Sequence, residues 1–206
     1  MHEPGERAAP SDVDLEVAGA LASGAPGRAA GIVVRALGPG LFGYLVAILR
    51  NEGDAREVFS EAAEEVLTSI ARFRGESSIK TWTYRIAWRT AMRYREAPER
   101  RRAQRLDSGL ASELAAEVRA STAVYLKTAA KTWLARMRDE LSLEDQSLLT
   151  LRVDRELPWS EVAVVMGEGD GTSALARLRK RFERIKERLR TEAEREGLIL
   201  PNDDRG

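Results

Sequence analysis

Apolar side chains recur along this 206-residue chain at helical intervals. Val58, Ala62, Val66 and Ile70 fall at four-residue steps, and Leu178, Phe182, Ile185 and Leu189 fall at i, i+4, i+7 and i+11. Each set therefore lines one face of an α-helix. This period constrains the fold strongly, because such a stripe leaves water only when its helix packs against a neighbouring element. Composition argues against a sheet as that neighbour: Ala, Leu, Arg and Glu are abundant and form helices well, and little β-branched material remains for strands. The expectation is an all-α protein, with length enough for one medium domain or two small ones.

The chain has no cysteine and a single histidine, His2, in its N-terminal stretch. Disulfides are excluded, and a zinc site or a histidine-based catalytic group has little to draw on. No Gly-rich phosphate loop, nucleophile motif or metal-ligand spacing appears. The pairs Glu64-Glu65 and Asp203-Asp204 are sequence neighbours of the kind found on solvated faces and tails. No enzyme, metal or cofactor is expected. The start MHEPGERAAP lacks the apolar core of a signal peptide, and no window reaches roughly 18 unbroken apolar residues, so a cytoplasmic protein without membrane insertion is expected.

Net charge is zero, but the signs are segregated. Residues 54–70 carry Asp54, Glu57, Glu61, Glu64 and Glu65 against Arg56 alone, whereas residues 72–105 carry eleven basic side chains against three acidic ones, a net of +8. An acidic helix leads directly into a basic one. Residues 1–28 mix Gly, Pro, Ser and small residues without a period and read as a flexible tail. Ile32, Val33, Ala36 and Leu37 then start a helical pattern that Gly38-Pro39-Gly40 is expected to interrupt as a turn, and residues 41–50 resume as an apolar helix. Asp54 is placed to cap the next helix, with Glu57 three residues on as in a capping box. After Gly75-Glu76-Ser77-Ser78, a helix runs to about Ala97 and stops before Pro98. Residues 98–122, with Arg100-Arg101-Arg102 and Asp107-Ser108-Gly109, read as a linker.

Residues 125–139 are amphipathic through Leu126, Ala130, Trp133, Leu134 and Met137, and residues 143–153 form another helix with an acidic start. In LPWSEVAVVMG, Pro158 sits in a first turn and Gly167 ends a short helix. A long helix follows, in which residues 177–190 hold eight basic and two acidic side chains. Short helix, Gly turn and basic second helix is the helix-turn-helix pattern. Its competing explanation is a helical hairpin whose arginines are solvated and paired with Glu183 and Glu187.

The stretch TWTYRIAWRTAMRYRE, residues 81–96, sets Trp and Tyr rings beside arginines. Cations neutralise phosphates and rings hold unstacked bases, which fits nucleic acid met as a single strand. The second half, in contrast, fits a duplex reader. Residues 53–96 (GDAREVFS to AMRYRE) and 141–167 (LSLEDQSL to VAVVMG) resemble the second and fourth conserved regions of the extracytoplasmic-function (ECF) sigma factors of bacterial RNA polymerase, with Thr81, Trp82, Arg85, Ile86 and Ala87 as the matching T-W-x-x-R-I-A. The resemblance covers roughly residues 29–192.

The resemblance implies two small helical domains joined by a linker: region 2 at residues 29–97, the linker at 98–122, region 4 with its helix-turn-helix at 123–192, and a C-terminal tail at 193–206. It implies core RNA polymerase and promoter DNA as partners, with an anti-sigma factor as a further candidate that nothing in the chain itself encodes. Arg50, Asp54, Glu57 and Glu61 are the implied polymerase contacts. Arg85, Arg89, Arg93 and Arg95 are the implied contacts to the melted minus-ten element, with Trp88 or Tyr94 as stacking surfaces; Trp88 is equally well explained as a core ring, and Trp82 belongs to the core. Ser173, Arg177, Arg179, Lys180, Arg181 and Arg184 are the candidates for minus-thirty-five duplex contacts. The sequence departs from the family at Arg89, where asparagine is usual, and in GTSALARLRKRF, where Arg177-Leu178 falls one residue late. The competing functional classes are a helix-turn-helix regulator acting without polymerase and a helical adaptor without a DNA role.

Overall fold

The computed structural model describes residues 9–96, 140–169 and 171–196. Among these residues every regular element is helical: α1 Asp12–Ala22, α2 Pro26–Leu49, α3 Glu52–Ser69 with a 3₁₀ turn Ile70–Arg72, α4 Ile79–Glu96, α5 Leu143–Leu149 with a π turn Thr150–Asp154, α6 Trp159–Met166 and α7 Thr172–Arg195. The all-α expectation holds. The expected linker at 98–122 and the amphipathic stretch at 125–139 lie outside the described residues.

Helix α2 is the central element, packed by α1, α3, α4 and α5. Val33, Phe42, Tyr44 and Leu45 on it are fully buried. The expected turn at Gly38-Pro39-Gly40 does not form, and α2 runs straight through Pro39. An internal proline loses one helical hydrogen bond and crowds the preceding turn, at about 3 kcal/mol. The glycines on either side remove nearby side-chain bulk, and burial of Val33, Val34, Leu41 and Phe42 across the site, at about 1.5–3 kcal/mol each, outweighs the loss. By length and composition α2 would also suffice to cross a membrane, with a mean hydropathy of 1.9 over its most apolar window. Here its apolar residues fill the helical core.

The N-terminal stretch is likewise not all tail. Ser11 and Asp14 form a reciprocal capping box at the start of α1, and Val17 and Ala20 are buried against α2. Asp14 also reaches across the fold, where its Oδ1 accepts the Ile79 backbone N–H at 2.7 Å and so caps α4 from a distance. The cap of α3 also differs from the expectation. The chain leaves α2 at Arg50 in a left-handed conformation (φ 56°), α3 begins at Glu52, and Asn51 rather than Asp54 is the cap, its Oδ1 accepting the Asp54 N–H at 3.1 Å. Gly75, at φ 67°, makes the turn into α4, and Ser78 Oγ caps that helix by accepting the Thr81 N–H at 3.1 Å.

In the C-terminal unit α5, α6 and α7 pack on one another, with Leu148, Leu151, Leu157, Val162, Val165 and Leu178 buried. Gly167 ends α6 at φ 75°, and the Glu168 N–H returns to the Ala163 carbonyl at 3.0 Å. Helix α7 continues to Arg195 with Ala193 buried, past the expected boundary at 192. The two units also touch: α4 packs against α6, and α2 against α5.

Candidate nucleic-acid interface

Helix α4 is buried along two sides and exposed along the arc between them and at its C-terminal end, where Arg95 is also exposed. Ile79, Thr83, Ile86, Ala87, Thr90 and Tyr94 are buried along one side, and Thr81, Tyr84 and Trp88 along another. Arg85, Arg89 and Arg93 are exposed, with Trp82 and Met92 half-buried beside them. The Phe73 ring supports Trp82 at 5.4 Å, in line with its expected place at the core. Arg85 and Arg89 lie one turn apart and make no ion pair among the described residues.

Arg93 and Tyr94 are held differently. Arg93 Nη2 donates to Glu65 at 2.8 Å, to Glu61 at 3.3 Å and to Thr90 Oγ1 at 3.1 Å. Partial burial works against the guanidinium charge, but the two carboxylates outweigh it and raise the pKa above its ordinary value. Tyr94 donates its hydroxyl to Asp54 at 2.7 Å and to Glu57 at 3.2 Å. Burial, and then these two carboxylates, push its phenol well above the ordinary range. The structure thus brings together residues expected to meet different partners: Asp54, Glu57 and Glu61 of the acidic helix are tied to Tyr94 and Arg93 of the basic one. As a stacking surface, Tyr94 is closed off in this arrangement.

Trp88 is 6% exposed. It shares a face with Thr81, Tyr84 and Arg95, at helical steps of three, seven and fourteen residues from Thr81. Arg95 pairs with Glu144 of α5 at 3.1 Å, and Thr81 donates to Glu161 of α6. Arg50 likewise turns toward the C-terminal unit, donating to the Leu141 carbonyl and, at 3.2 Å, to Gln146.

On α7 the side chains of Ser173, Arg177, Arg179, Lys180 and Arg184 are exposed on the face opposite the buried Leu178, Phe182 and Ile185. Arg177 is braced by Ser173 at 3.1 Å and Glu168 at 3.4 Å. Arg181 is not free for a ligand, since its Nε donates to Asp145 of α5 at 2.5 Å. Sequence reasoning did not identify Trp159, whose ring meets Phe182 at 5.4 Å and lies beneath the guanidinium groups of Arg152 (5.3 Å) and Arg179 (6.0 Å). Nor did it identify Tyr44, Arg155 and Glu161, whose contacts cross between the units. The glycine pair Gly40 and Gly43, against which Arg155 lies, could have signalled Arg155 alone. Among the described residues no cluster of His, Cys, Asp or Glu could hold a metal ion.

Helices that present exposed guanidinium arcs on an all-α scaffold define a class of protein that binds polyanions. Residues 33–104 match the family model of sigma-70 region 2. The chain is 30% identical over 166 residues to the RNA polymerase sigma-H factor of Pseudomonas aeruginosa, covering 74% of this chain and 83% of that one. It is 29% identical over 154 residues to the ECF RNA polymerase sigma-E factor of Escherichia coli K12, covering 70% and 76% respectively. The chain belongs to the sigma-70 family of RNA polymerase sigma factors, with a role in promoter recognition.

Proposed function

We propose that this sigma factor binds core RNA polymerase in the cytoplasm, captures the melted minus-ten strand with the exposed arc of α4, and reads the minus-thirty-five duplex with α7. The observation that carries the α4 assignment is the pair Arg85 and Arg89: two exposed guanidinium groups one turn apart, without ion pairs among the described residues, inside the segment that matches region 2. Paired arginines elsewhere on the helix have carboxylates to satisfy them, and these two are left for phosphate or base edges. Helix α6, the Gly167 turn and α7 act as the helix-turn-helix, with Arg177, Arg179, Lys180 and Arg184 toward the duplex and Arg181 as a brace. Glu57 and Glu61 remain exposed on α3 and serve the polymerase face together with Asp54. Catalysis belongs to the polymerase.

The test is run-off transcription with bacterial core polymerase on a genomic promoter pool, with sequencing of the transcript starts. New starts that share two spaced upstream elements, and that are lost in an R85A/R89A variant that still binds core polymerase, support the reading. Duplex binding without new starts would instead make the protein a helix-turn-helix regulator that acts without polymerase.

A further inference from the structure

The basic side chains of α7 are held in different ways, and the way each is held decides what it can offer a duplex. Arg177 directs both terminal nitrogens at its own protein, to Ser173 at 3.1 Å and Glu168 at 3.4 Å, and Arg181 directs its Nε at Asp145 at 2.5 Å. Arg179 is exposed and makes no hydrogen bond or ion pair among the described residues. It is supported all the same, because its guanidinium lies over the Trp159 ring at 6.0 Å from the centroid. A cation–π contact orients the guanidinium without engaging its N–H groups in a hydrogen bond, so the whole donor fork stays available.

Trp159 is a firm support. It is the first residue of α6, directly after Pro158, whose ring fixes the backbone at φ −63°. Its indole meets the Phe182 ring of α7 edge-on at 5.4 Å, and the Arg152 guanidinium lies over it at 5.3 Å. Arg152 is fixed in turn, its Nη1 donating to the Leu157 carbonyl at 3.0 Å. The ring is therefore anchored both to the segment that opens α6 and to α7.

We infer that Trp159 is a specificity-determining positioning residue: it holds the Arg179 guanidinium ready to donate two parallel hydrogen bonds to O6 and N7 of one guanine in the minus-thirty-five element. Resting on the assignment of α7 to the minus-thirty-five duplex proposed above, this role singles out the arginine that reads a base and the ring that aims it. In the major groove a guanine presents those two acceptors side by side, and the planar guanidinium fork matches them where a lysine ammonium does not. An unsupported arginine would lose rotamer freedom on binding, and stacking on Trp159 removes part of that loss before the DNA arrives. Lys180 and Arg184, exposed and without a ring contact among the described residues, suit phosphates instead.

The test uses holoenzyme assembled from core polymerase and the full chain, selected on promoter duplexes randomised across the minus-thirty-five element, with the bound fraction sequenced. R179A is expected to lose an about tenfold preference for guanine at one base pair. W159L, its fold verified by circular dichroism, is expected to lose most of that preference at the same base pair while the other positions keep theirs. W159F retains an aromatic face and should keep it. In W159L/R179A the two losses should not add, because both remove one contact. R179K leaves the domain core untouched and tests the fork even where W159L folds poorly: the guanine preference should disappear while the salt slope of duplex binding stays unchanged, since the positive charge remains. A guanine preference that survives W159L or R179K, or that W159F loses, overturns the inference, as does a W159L loss spread evenly over the element. Selection unchanged by R177A and R179A alike would remove the assignment of α7 along with the inference, whereas a change in R177A alone removes the inference and leaves the assignment standing.

Discussion

Replacing Arg85 and Arg89 by alanine should reduce the salt dependence of single-strand capture, whereas replacing Arg93 should leave it nearly unchanged. The two expectations differ because the guanidinium groups face different partners. Arg85 and Arg89 are exposed and make no ion pair among the described residues, while Arg93 is held by Glu61 and Glu65. Removing one cationic partner of a single-strand phosphate lowers the slope of log K against log salt by about 0.7, so the double variant should lose about 1.4. Between 50 and 200 mM salt, a fourfold change, the unmodified protein should therefore lose about sevenfold more affinity than R85A/R89A. Arg93→Ala instead breaks a half-exposed pair of ion contacts, worth about 0.5–1 kcal/mol of folding stability, and costs a few degrees of Tm. The assay is fluorescence anisotropy of a labelled minus-ten single strand with core polymerase and this protein, at four salt concentrations. An Arg93→Ala slope that falls as far as that of Arg89→Ala would overturn this account, because the Glu61 and Glu65 pairing would then yield to phosphate.

Asp14→Asn should lower stability by about 1 kcal/mol, since an amide oxygen is a weaker acceptor for the Ile79 N–H and the Ser11 box. Burial alone would raise the Asp14 pKa, but the Ile79 and Ser11 hydrogen bonds outweigh it and hold the carboxyl below its ordinary 3.8. Its contribution is therefore complete at neutral pH and fades as pH falls below 3.8, so thermal melts of the two proteins should converge in acid. At the alkaline end, burial raises the phenol of Tyr84 to about 12 and those of Tyr44 and Tyr94 above the ordinary range. Protonated, these three phenols contribute stability that is complete below pH 10 and is lost as pH climbs further, so an absorbance titration should show them ionising later than an exposed tyrosine. On α7, Arg184→Ala should cut the duplex salt slope by about 0.9 with little change in Tm, whereas Arg181→Ala should lower Tm because it releases Asp145. A smaller slope in Arg181→Ala at unchanged Tm would move that residue into the DNA interface.

Much of this architecture was legible in short-range sequence pattern. The stripes Val58 to Ile70 and Leu178 to Leu189, the stop at Gly167 and the basic arc of α4 all depend on neighbours within a few residues, and helical periodicity reports such neighbours directly. Local signals failed where tertiary burial outweighed them. Gly38-Pro39-Gly40 reads as a turn until the core that α2 fills from both sides is known, and residues 12–22 read as tail until Val17 is seen buried against α2. The site divides in the same way. Sequence determined which side chains carry charge and rings, and family resemblance indicated what such residues serve. Only the tertiary structure decided that Arg93 and Tyr94 are taken by the acids of α3, that Arg181 is a brace, and that Trp88 is buried. The reason is distance along the chain: Thr81 and Glu161 are 80 residues apart, and Tyr44 and Ser147 are 103 apart. Such pairings follow from how whole helices pack, and no local periodicity encodes them.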